Sequence, residues 1–196
     1  MKIILAKSAG FCFGVRRAVE LTEQTAAKVA ESGGAAKVFT FGELIHNRDV
    51  VNRLREAGIA PIESLDEAQR GDYVIIRSHG VPKKIYEELE TRGINFIDAT
   101  CPFVSNIHRI VSAAYERGEQ VFIVGNPEHP ETIGINGHCG NSAIFIRGEE
   151  ELRKLEGRSG CLVVQTTFDS ETFAAMQRVI EREYPRIRVF NSICST

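Results

Sequence analysis

The sequence contains one pattern of residues twice, and this internal repeat limits its fold more than any other feature. Val38 and Val121 each begin an apolar run with phenylalanine next, and a glycine follows four residues after each valine. A histidine follows eight residues after each valine, at His46 and His129. Equal offsets in two separate segments indicate two copies of one folding unit.

The repeat continues in both copies until a cysteine is reached. Residues 74–79 correspond to residues 162–167, and residues 98–101 correspond to residues 191–194, so each copy ends with a strand that leads into a cysteine. The intervals from valine to cysteine are 63 and 73 residues, a difference that surface loops absorb at small entropic cost. We therefore predict two related modules.

A third cysteine has the same setting near the N-terminus. The apolar run at 2–5 leads through a glycine turn to Cys12, and an amphipathic helical pattern follows. Cys12 and Cys101 are 89 residues apart, and Cys101 and Cys194 are 93 residues apart. This spacing predicts three related modules that meet at one point and each give one cysteine. The third module would be completed by the N-terminal strand and would lie beyond Cys194.

Strand and helix patterns alternate along the chain. Apolar, β-rich runs predict strands at 2–5, 37–41, 73–76, 95–97, 120–124, 143–146, 161–164 and 187–190. Helical patterns occupy 15–31, 48–56, 83–91, 104–117 and 170–183. This alternation predicts an α/β fold class with two related modules and mainly parallel sheets, the remnant of a pseudo-threefold arrangement of three modules.

The repeat also predicts the domain boundaries. Residues 1–13 hold the N-terminal strand and the first cysteine, which belong to the missing third module. Residues 14–100 form the first module and residues 101–193 the second. Residues 194–196 are the start of the absent third module.

Composition limits the classes of partner. The chain has 196 residues, of which 43% are hydrophobic, and a formal net charge of -2, which disfavours a surface for nucleic acid. The apolar start is interrupted at Lys7, too early for a signal sequence or a membrane span. We therefore expect a cytoplasmic protein with no nucleic-acid partner and no membrane partner.

The five cysteines predict metal or redox chemistry. Their number is odd, no two form a CxxC pair, and no export signal is present, so a disulfide framework is disfavoured. Ligands of parallel α/β sheets gather beyond the carboxyl ends of the strands. The residues that follow strands at that end are Cys12, His46, His79, Cys101, His129, Thr166 and Cys194. Three thiolates about a pseudo-threefold axis suit a cubane iron-sulfur cluster with one iron left open for substrate.

Other interpretations stay open for the cysteines and histidines. A single cysteine is more often a small core residue than a ligand, and we interpret Cys139 and Cys161 in this way. His108 and His138 are interpreted as locally hydrogen-bonded residues. A Cys3His zinc site in a non-catalytic metal-binding or scaffold protein of the same fold is the alternative function.

Seven short segments carry most of these residues. They are Ala9–Ala18, Ile45–Asn47, Ser78–Val81, Asp98–Pro102, His129–Glu131, Gln165–Thr167 and Ile193–Cys194. Together, and in this order, they resemble the signature blocks of the 4-hydroxy-3-methylbut-2-enyl diphosphate reductase family, also called LytB. Any one block is a weak match, whereas seven in order are specific.

The resemblance implies a role for each residue. The ligands of a [4Fe-4S] cluster would be Cys12, Cys101 and Cys194. The substrate-binding residues would be His46, His79, His129, Thr166, Gln165 and Thr167. The catalytic residues would be Glu131, His129 and Thr166, with Glu131 as the acid that delivers a proton. Imidazoles suit this pocket because they can donate charge-assisted hydrogen bonds to a diphosphate.

The implied reaction is the last step of non-mevalonate isoprenoid biosynthesis. It removes the allylic hydroxyl of 4-hydroxy-3-methylbut-2-enyl diphosphate with two electrons and two protons, giving isopentenyl and dimethylallyl diphosphate. Hydroxide is a poor leaving group, so the open iron would polarise its oxygen and Glu131 would protonate it. Electrons would come from a ferredoxin- or flavodoxin-like donor, because the chain has no dinucleotide-binding fingerprint.

The sequence departs from the family after its third cysteine. Family members continue into a third module with further diphosphate-binding residues, whereas this sequence ends at Thr196. We therefore expect little or no reductase activity from this chain alone. A homologue that acts on a different diphosphate, or on none, also stays open.

Overall fold

A computed structural model describes residues 10–33, 35–45 and 47–194 of the chain. The first sheet comprises β1 (Val38–Phe41), β2 (Ala60–Ile62), β3 (Tyr73–Ile76) and β4 (Asn95–Asp98). The strands lie in the order β2-β1-β3-β4, and every neighbouring pair is parallel. The strand predicted at 2–5 lies outside the described residues.

The second sheet repeats the plan of the first. It comprises β5 (Gln120–Val124), β6 (Ile144–Ile146), β7 (Gly160–Val164) and β8 (Ile187–Phe190). Its strand order is β6-β5-β7-β8, again with every neighbouring pair parallel. The predicted α/β fold class with two parallel sheets is therefore confirmed. The first sheet falls within residues 14–100 and the second within 101–193, although the domain boundaries themselves stay a prediction.

Helices connect the strands. They are α1 (Phe13–Glu31), α2 (Arg48–Glu56), α3 (Lys83–Arg92), α4 (Pro102–Glu116), α5 (Pro130–Gly137) and α6 (Ser170–Glu183), with short 3-10 segments at Leu65–Glu67 and Glu149–Leu155. All of these except α5 and the 3-10 segments were predicted to within two residues at each end. No helix within the described residues combines the length and apolar character needed to span a lipid bilayer.

Side chains point alternately to the two faces of the sheet along every strand. Helices cover both faces of each sheet, so both faces are buried. In β5, Val121 and Ile123 belong to a core shared with α4 and α5, whereas Phe122 and Val124 belong to a core shared with α6. The first sheet is built in the same way, with α1 and α2 on one face and α3 on the other. A strand in a sheet covered on both faces needs apolar side chains at successive positions. These continuous apolar runs are the pattern that predicted the strands.

The elements that the sequence did not predict, β2 and α5, have weak local signals. β2 contains Pro61, lies at the sheet edge and is three residues long, so neither its length nor its pattern marks it as a strand. α5 contains Gly134 and Gly137, which lower its intrinsic helix propensity. Packing against neighbouring elements therefore determines both.

α5 carries much of the contact between the two modules. Gly137 lies so close to Pro82 that an added Cβ would be 2.3 Å from the Pro82 Cβ and 2.7 Å from its Cα. The next residue, His138, donates a hydrogen bond from Nε2 to the carbonyl oxygen of Val81 (3.1 Å). Its ring stacks on His108 with the ring centroids 4.0 Å apart. The interface therefore has no room for a side chain at position 137.

We expect Gly137→Ala to lower the free energy of unfolding by about 1–3 kcal/mol, because the new methyl group must displace the backbone at Pro82. The matched control is Gly134→Ala on the same helix, where an added Cβ would make only ordinary contacts at 3.5 Å. There, the better helix propensity of alanine should leave stability unchanged or raise it by up to about 1 kcal/mol. Urea unfolding measures both variants, and equal effects would contradict the close approach.

Candidate active site

A cavity of about 150 Å³ lies where the carboxyl ends of β3 and β7 meet the first residues of α1 and α4. All three repeat-spaced cysteines line it. The predicted site residues in its wall are Cys12, His79, Cys101, Glu131, Thr166, Thr167 and Cys194. The structure therefore brings together segments that are far apart in the sequence, at the sheet edge where parallel topology predicts a site.

Cys12 and Cys101 each stand directly before a helix. Cys12 is the N-cap of α1 and Cys101 the N-cap of α4, and neither helix has an acidic residue in its first turn. Neither cap makes a side-chain hydrogen bond within the described residues. The first N–H groups of a helix carry partial positive charge. These two helix ends therefore suit a negatively charged group in the cavity.

Cys101 and Cys194 are held by equivalent backbone bonds. The N–H of Cys101 donates to the carbonyl oxygen of Ser78 (2.9 Å), and the N–H of Cys194 donates to that of Thr166 (2.8 Å). Ser78 and Thr166 occupy the same position in the repeat. Each bond lies just beyond the last two strands of its sheet, so the repeated fold places both cysteines at equivalent points.

Gly14 brings α1 into contact with Cys101. A Cβ built on this buried glycine would lie 2.7 Å from the Cys101 sulfur. The sequence analysis did not single out Gly14 as functional, although its place two residues after Cys12 in the first signature block was an available signal. Because any side chain at this position would displace the sulfur, glycine is required for the observed approach of the two segments.

A buried carboxyl group shares the cavity with the cysteines. Glu131 lies in the first turn of α5 and is only 1% exposed. Its Oε1 accepts a hydrogen bond from the N–H of Thr166 (2.6 Å), and its Oε2 pairs with the Thr166 hydroxyl (2.6 Å). Burial raises the pKa of the Glu131 carboxyl above its ordinary value, while both bonds from Thr166 oppose the rise. Glu131 therefore keeps a proton to higher pH than an exposed glutamate.

The helix start that carries Glu131 also orients His129. The Nδ1 atom of His129 caps α5 by accepting a hydrogen bond from the N–H of Glu131 (3.1 Å). Nδ1 must therefore be unprotonated, and the neutral ring carries its proton on Nε2. The rings of His79 and His129 meet edge to face, with centroids 5.5 Å apart. The two predicted histidines are thus neighbours, although only His79 lines the cavity.

Besides His129, a second predicted residue among those described, Gln165, is not in the wall of this cavity. Gln165 accepts a hydrogen bond from the N–H of Asn126 (3.0 Å) and donates one to the Thr167 hydroxyl (2.9 Å). It lines a neighbouring cavity of about 350 Å³ and supports the loop that carries Thr167. His46 lies outside the described residues. The sequence analysis also missed the apolar part of the wall, formed by Val15, Phe103 and Val104.

The cysteines fall into two groups. Cys139 and Cys161 are completely buried in the core between β5, β7, α4 and α5. Across residues 10–33, 35–45 and 47–194, no three His, Cys, Asp or Glu side chains converge on the position of one metal ion. The other three cysteines surround a cavity with room for several atoms.

Comparison with known proteins identifies the family. The sequence model of the family described as LytB protein matches residues 3–196. The chain belongs to the LytB family. This confirms the resemblance of the seven signature segments.

Curated and solved relatives of this LytB chain carry one enzyme name. The 4-hydroxy-3-methylbut-2-enyl diphosphate reductase of Alkaliphilus oremlandii is 39% identical over 196 residues, which are 100% of this chain and 68% of that protein. The protein of the same name from Clostridium perfringens is 45% identical over 195 residues, covering 98% of this chain and 67% of the relative. The LytB chain thus spans about two thirds of their length.

A solved structure supports the fold assignment. It is that of (E)-4-hydroxy-3-methyl-but-2-enyl diphosphate reductase, described as the terminal enzyme of the non-mevalonate pathway. It matches the LytB chain with a TM-score of 0.83 and 40% sequence identity, over 98% of this chain and 68% of that one.

We expect the carboxyl group of Glu131 in the metal-free LytB chain to titrate above the ordinary pKa of a glutamate, because its pKa is raised by burial. Thr166→Val keeps the N–H donor but removes the hydroxyl, so it should raise the Glu131 pKa further. Between the ordinary and the raised pKa the folded chain binds more protons than the unfolded chain, so rising pH in this window costs stability. Carbon-13 NMR titration measures the midpoints.

Glu131→Gln assigns the carbon-13 signal and removes this pH-dependent loss of stability, whereas Glu128→Gln should leave it in place. A Glu131 midpoint at the ordinary value for a glutamate would contradict the raised pKa.

Proposed function

We propose that this LytB chain acts in the reduction of 4-hydroxy-3-methylbut-2-enyl diphosphate to isopentenyl and dimethylallyl diphosphate, through a [4Fe-4S] cluster. One observation carries the proposal: a single cavity is walled by three repeat-spaced cysteines and a buried pair, Glu131 and Thr166. Family membership supports it, because the named relatives are reductases of this diphosphate.

The residues present fit such a cluster. Cys12, Cys101 and Cys194 would hold three of its irons, since thiolates are the soft ligands that select iron-sulfur clusters. The helix ends at Cys12 and Cys101 would stabilise the negative charge of the bound group. When bound, the cluster would supply single electrons and an open iron that attracts the substrate oxygen.

Glu131 would supply the proton that lets the hydroxyl leave as water. A neutral Glu131 can donate its own proton from Oε2 to the Thr166 oxygen, because a hydroxyl both accepts and donates. The Thr166 hydroxyl proton is then free to point into the cavity, which Thr166 lines. Glu131 and Thr166 can therefore transfer a proton from the buried carboxyl group to the leaving hydroxyl group, as general acid catalysis requires.

The substrate would lie between histidines and apolar side chains. His79 in the wall and His129 beside it would donate hydrogen bonds to the diphosphate, together with the hydroxyl groups of Thr166 and Thr167. His46, also predicted to bind the substrate, would contribute to the same diphosphate contacts. The hydrocarbon part of the substrate would pack on Val15, Phe103 and Val104.

The proposal includes two partners, a third module and an electron donor. Phe11, Phe13 and Phe103 are large exposed apolar residues close to the cluster cysteines, a surface that suits contact with another folded unit. A third module, to which residues 1–13 and 194–196 would belong, is the proposed occupant. A ferredoxin- or flavodoxin-like protein would deliver the electrons, one at a time.

The cysteines supply the first test. Anaerobic reconstitution with iron and sulfide should give a brown protein, and serine substitution of Cys12, Cys101 or Cys194 should remove most of the iron. Cys139→Ala and Cys161→Ala are matched controls, because these cysteines are buried in the core and should leave the iron content unchanged. Iron and sulfide analysis with visible absorption measures all five variants.

Two outcomes would contradict the proposed cofactor. One is full iron content in the first three variants. The other is stoichiometric colourless zinc in place of iron, which would favour the non-catalytic scaffold. Calorimetric titration with the diphosphate substrate tests binding separately from turnover.

Gly14→Ala should weaken the cluster site without touching a ligand. The added methyl group would lie 2.7 Å from the Cys101 sulfur and must displace it. Loss of supporting geometry around metal ligands typically costs about 10–100-fold in affinity, and we expect a loss of this order. Iron retention in the presence of a chelator measures the effect. Retention equal to that of the unmodified chain would contradict the close approach of α1 to Cys101.

A further inference from the structure

Cys12 reaches the cavity only through the placement of α1. Cys12 itself is exposed, and it stands one residue before the helix. The buried residues of α1 are small or β-branched, and three of them, Ala18, Val19 and Val29, join the core on one face of the first sheet. In the first turn, Gly14 is buried and Val15 is partly buried against the same core. A polar contact close to this turn would fix its position further.

Arg17 supplies that contact. Its Nη1 donates a hydrogen bond to the carbonyl oxygen of Thr100 (3.2 Å), and its Nη2 donates one to the carbonyl oxygen of Asp98 (3.3 Å). Asp98 is the last residue of β4 and Thr100 directly precedes Cys101, so the two carbonyl groups flank the short connection from β4 to Cys101. One guanidinium group on the second turn of α1 therefore binds the segment that carries the next cysteine.

The segment that Arg17 binds is itself held in place. The N–H of Thr100 donates to the Asp98 carboxylate (2.9 Å), and the N–H of Cys101 donates to Ser78 in the neighbouring strand connection (2.9 Å). Because this segment is fixed from the sheet side, the Arg17 bonds locate α1 on it rather than the reverse. Gly14, one turn before Arg17, then lies against the Cys101 sulfur.

We infer that Arg17 is a positioning residue that holds the first turn of α1, and with it Cys12, against the segment that carries Cys101. Its importance for the reaction rests on the proposed function, whereas the positioning itself is a property of the metal-free chain. Lysine would keep the charge but has one ammonium group in place of a planar fork, so it does not reproduce two simultaneous bonds to carbonyl groups two residues apart.

Arg16 is the matched control. It is the adjacent residue with the same charge, and among the described residues its Nη2 donates one hydrogen bond, to the carbonyl oxygen of Phe11 (3.4 Å) on its own segment. Substitutions at positions 16 and 17 therefore change helix propensity and net charge equally. Only those at position 17 remove a contact with the Cys101 segment.

The test measures the proximity of the two thiols in the full metal-free chain. Dibromobimane bridges two nearby thiols, and mass spectrometry of the digested protein identifies the Cys12–Cys101 product. We expect Arg17→Lys and Arg17→Met to lower the yield of this product several-fold, while Arg16→Lys and Arg16→Met leave it unchanged. The alkylation rate of the buried Cys161 reports general loosening of the fold and should not change. The chain unfolded in urea gives the baseline yield of the bridged product. If Arg17→Met does not fold, the yield from Arg17→Lys is the deciding measurement.

A second readout applies to the reconstituted protein. Iron should be lost to a chelator about 10-fold faster in the Arg17 variants than in the Arg16 variants, as is typical when the support of a metal ligand is removed. A shifted reduction potential at an unchanged melting temperature would support the same role, because a merely stabilising residue would move the melting temperature instead.

The outcomes separate this inference from the proposed function. If the bridge forms and depends on Arg17, the positioning role is supported, even where the unmodified chain binds no cluster and the proposed function fails. If the unmodified chain binds a cluster but the Arg17 variants form the bridge as well as it does, the positioning role is overturned while the proposed function stands. Absence of the bridge in the unmodified chain also overturns the positioning role.

Discussion

Two backbone hydrogen bonds determine where the site of this LytB chain can be. They join the N–H of Cys101 to Ser78 and the N–H of Cys194 to Thr166, and each continues the pairing of two parallel strands beyond their last residues. A parallel sheet requires strand ends to meet at one edge, so the residue after Ser78 and the residues around Thr166 come to that edge as well. The same constraint therefore positions the thiols, His79 and the hydroxyl group that serves Glu131.

The helix α5 links this site to the interface between the modules. Its first turn carries Glu131 and its N-cap is His129, whereas its last residue, Gly137, packs on Pro82 of the other module. Burial, with a contribution from His138, lowers the pKa of His108 to about 3, so His108 is neutral near pH 7. Eight residues thus connect a buried carboxyl group with a raised pKa to an interface that has no room for a side chain at position 137.

The repeat made the sheets and the meeting of the cysteines predictable, because both follow from local pattern and parallel topology. The packing of Gly14 on the Cys101 sulfur was not predictable, since it depends on where α1 crosses a segment far away in the sequence. The capping role of His129 and the burial of Glu131 depend on α5. The glycines of α5 lower its helix propensity, so the sequence did not predict this helix. Gln165 was placed at the site by resemblance, but its hydrogen bonds go to Asn126 in the connection between β5 and α5 and to the nearby Thr167. Sequence pattern therefore predicted which residues lie near one another at this edge better than it predicted their contacts.

The helix starts show how the chain prepares a place for negative charge. The helices α2 and α6 begin with Asn47 and Asp169, whose side-chain oxygens accept hydrogen bonds from the first turn. The helices α1 and α4 begin with Cys12 and Cys101, whose side chains make no such bond within the described residues. A missing cap alone is not decisive, because α3 also begins without one at Pro82. Only α1 and α4 combine an uncapped start with a sulfur atom at a shared cavity, and this combination leaves their N–H groups to a bound anionic group.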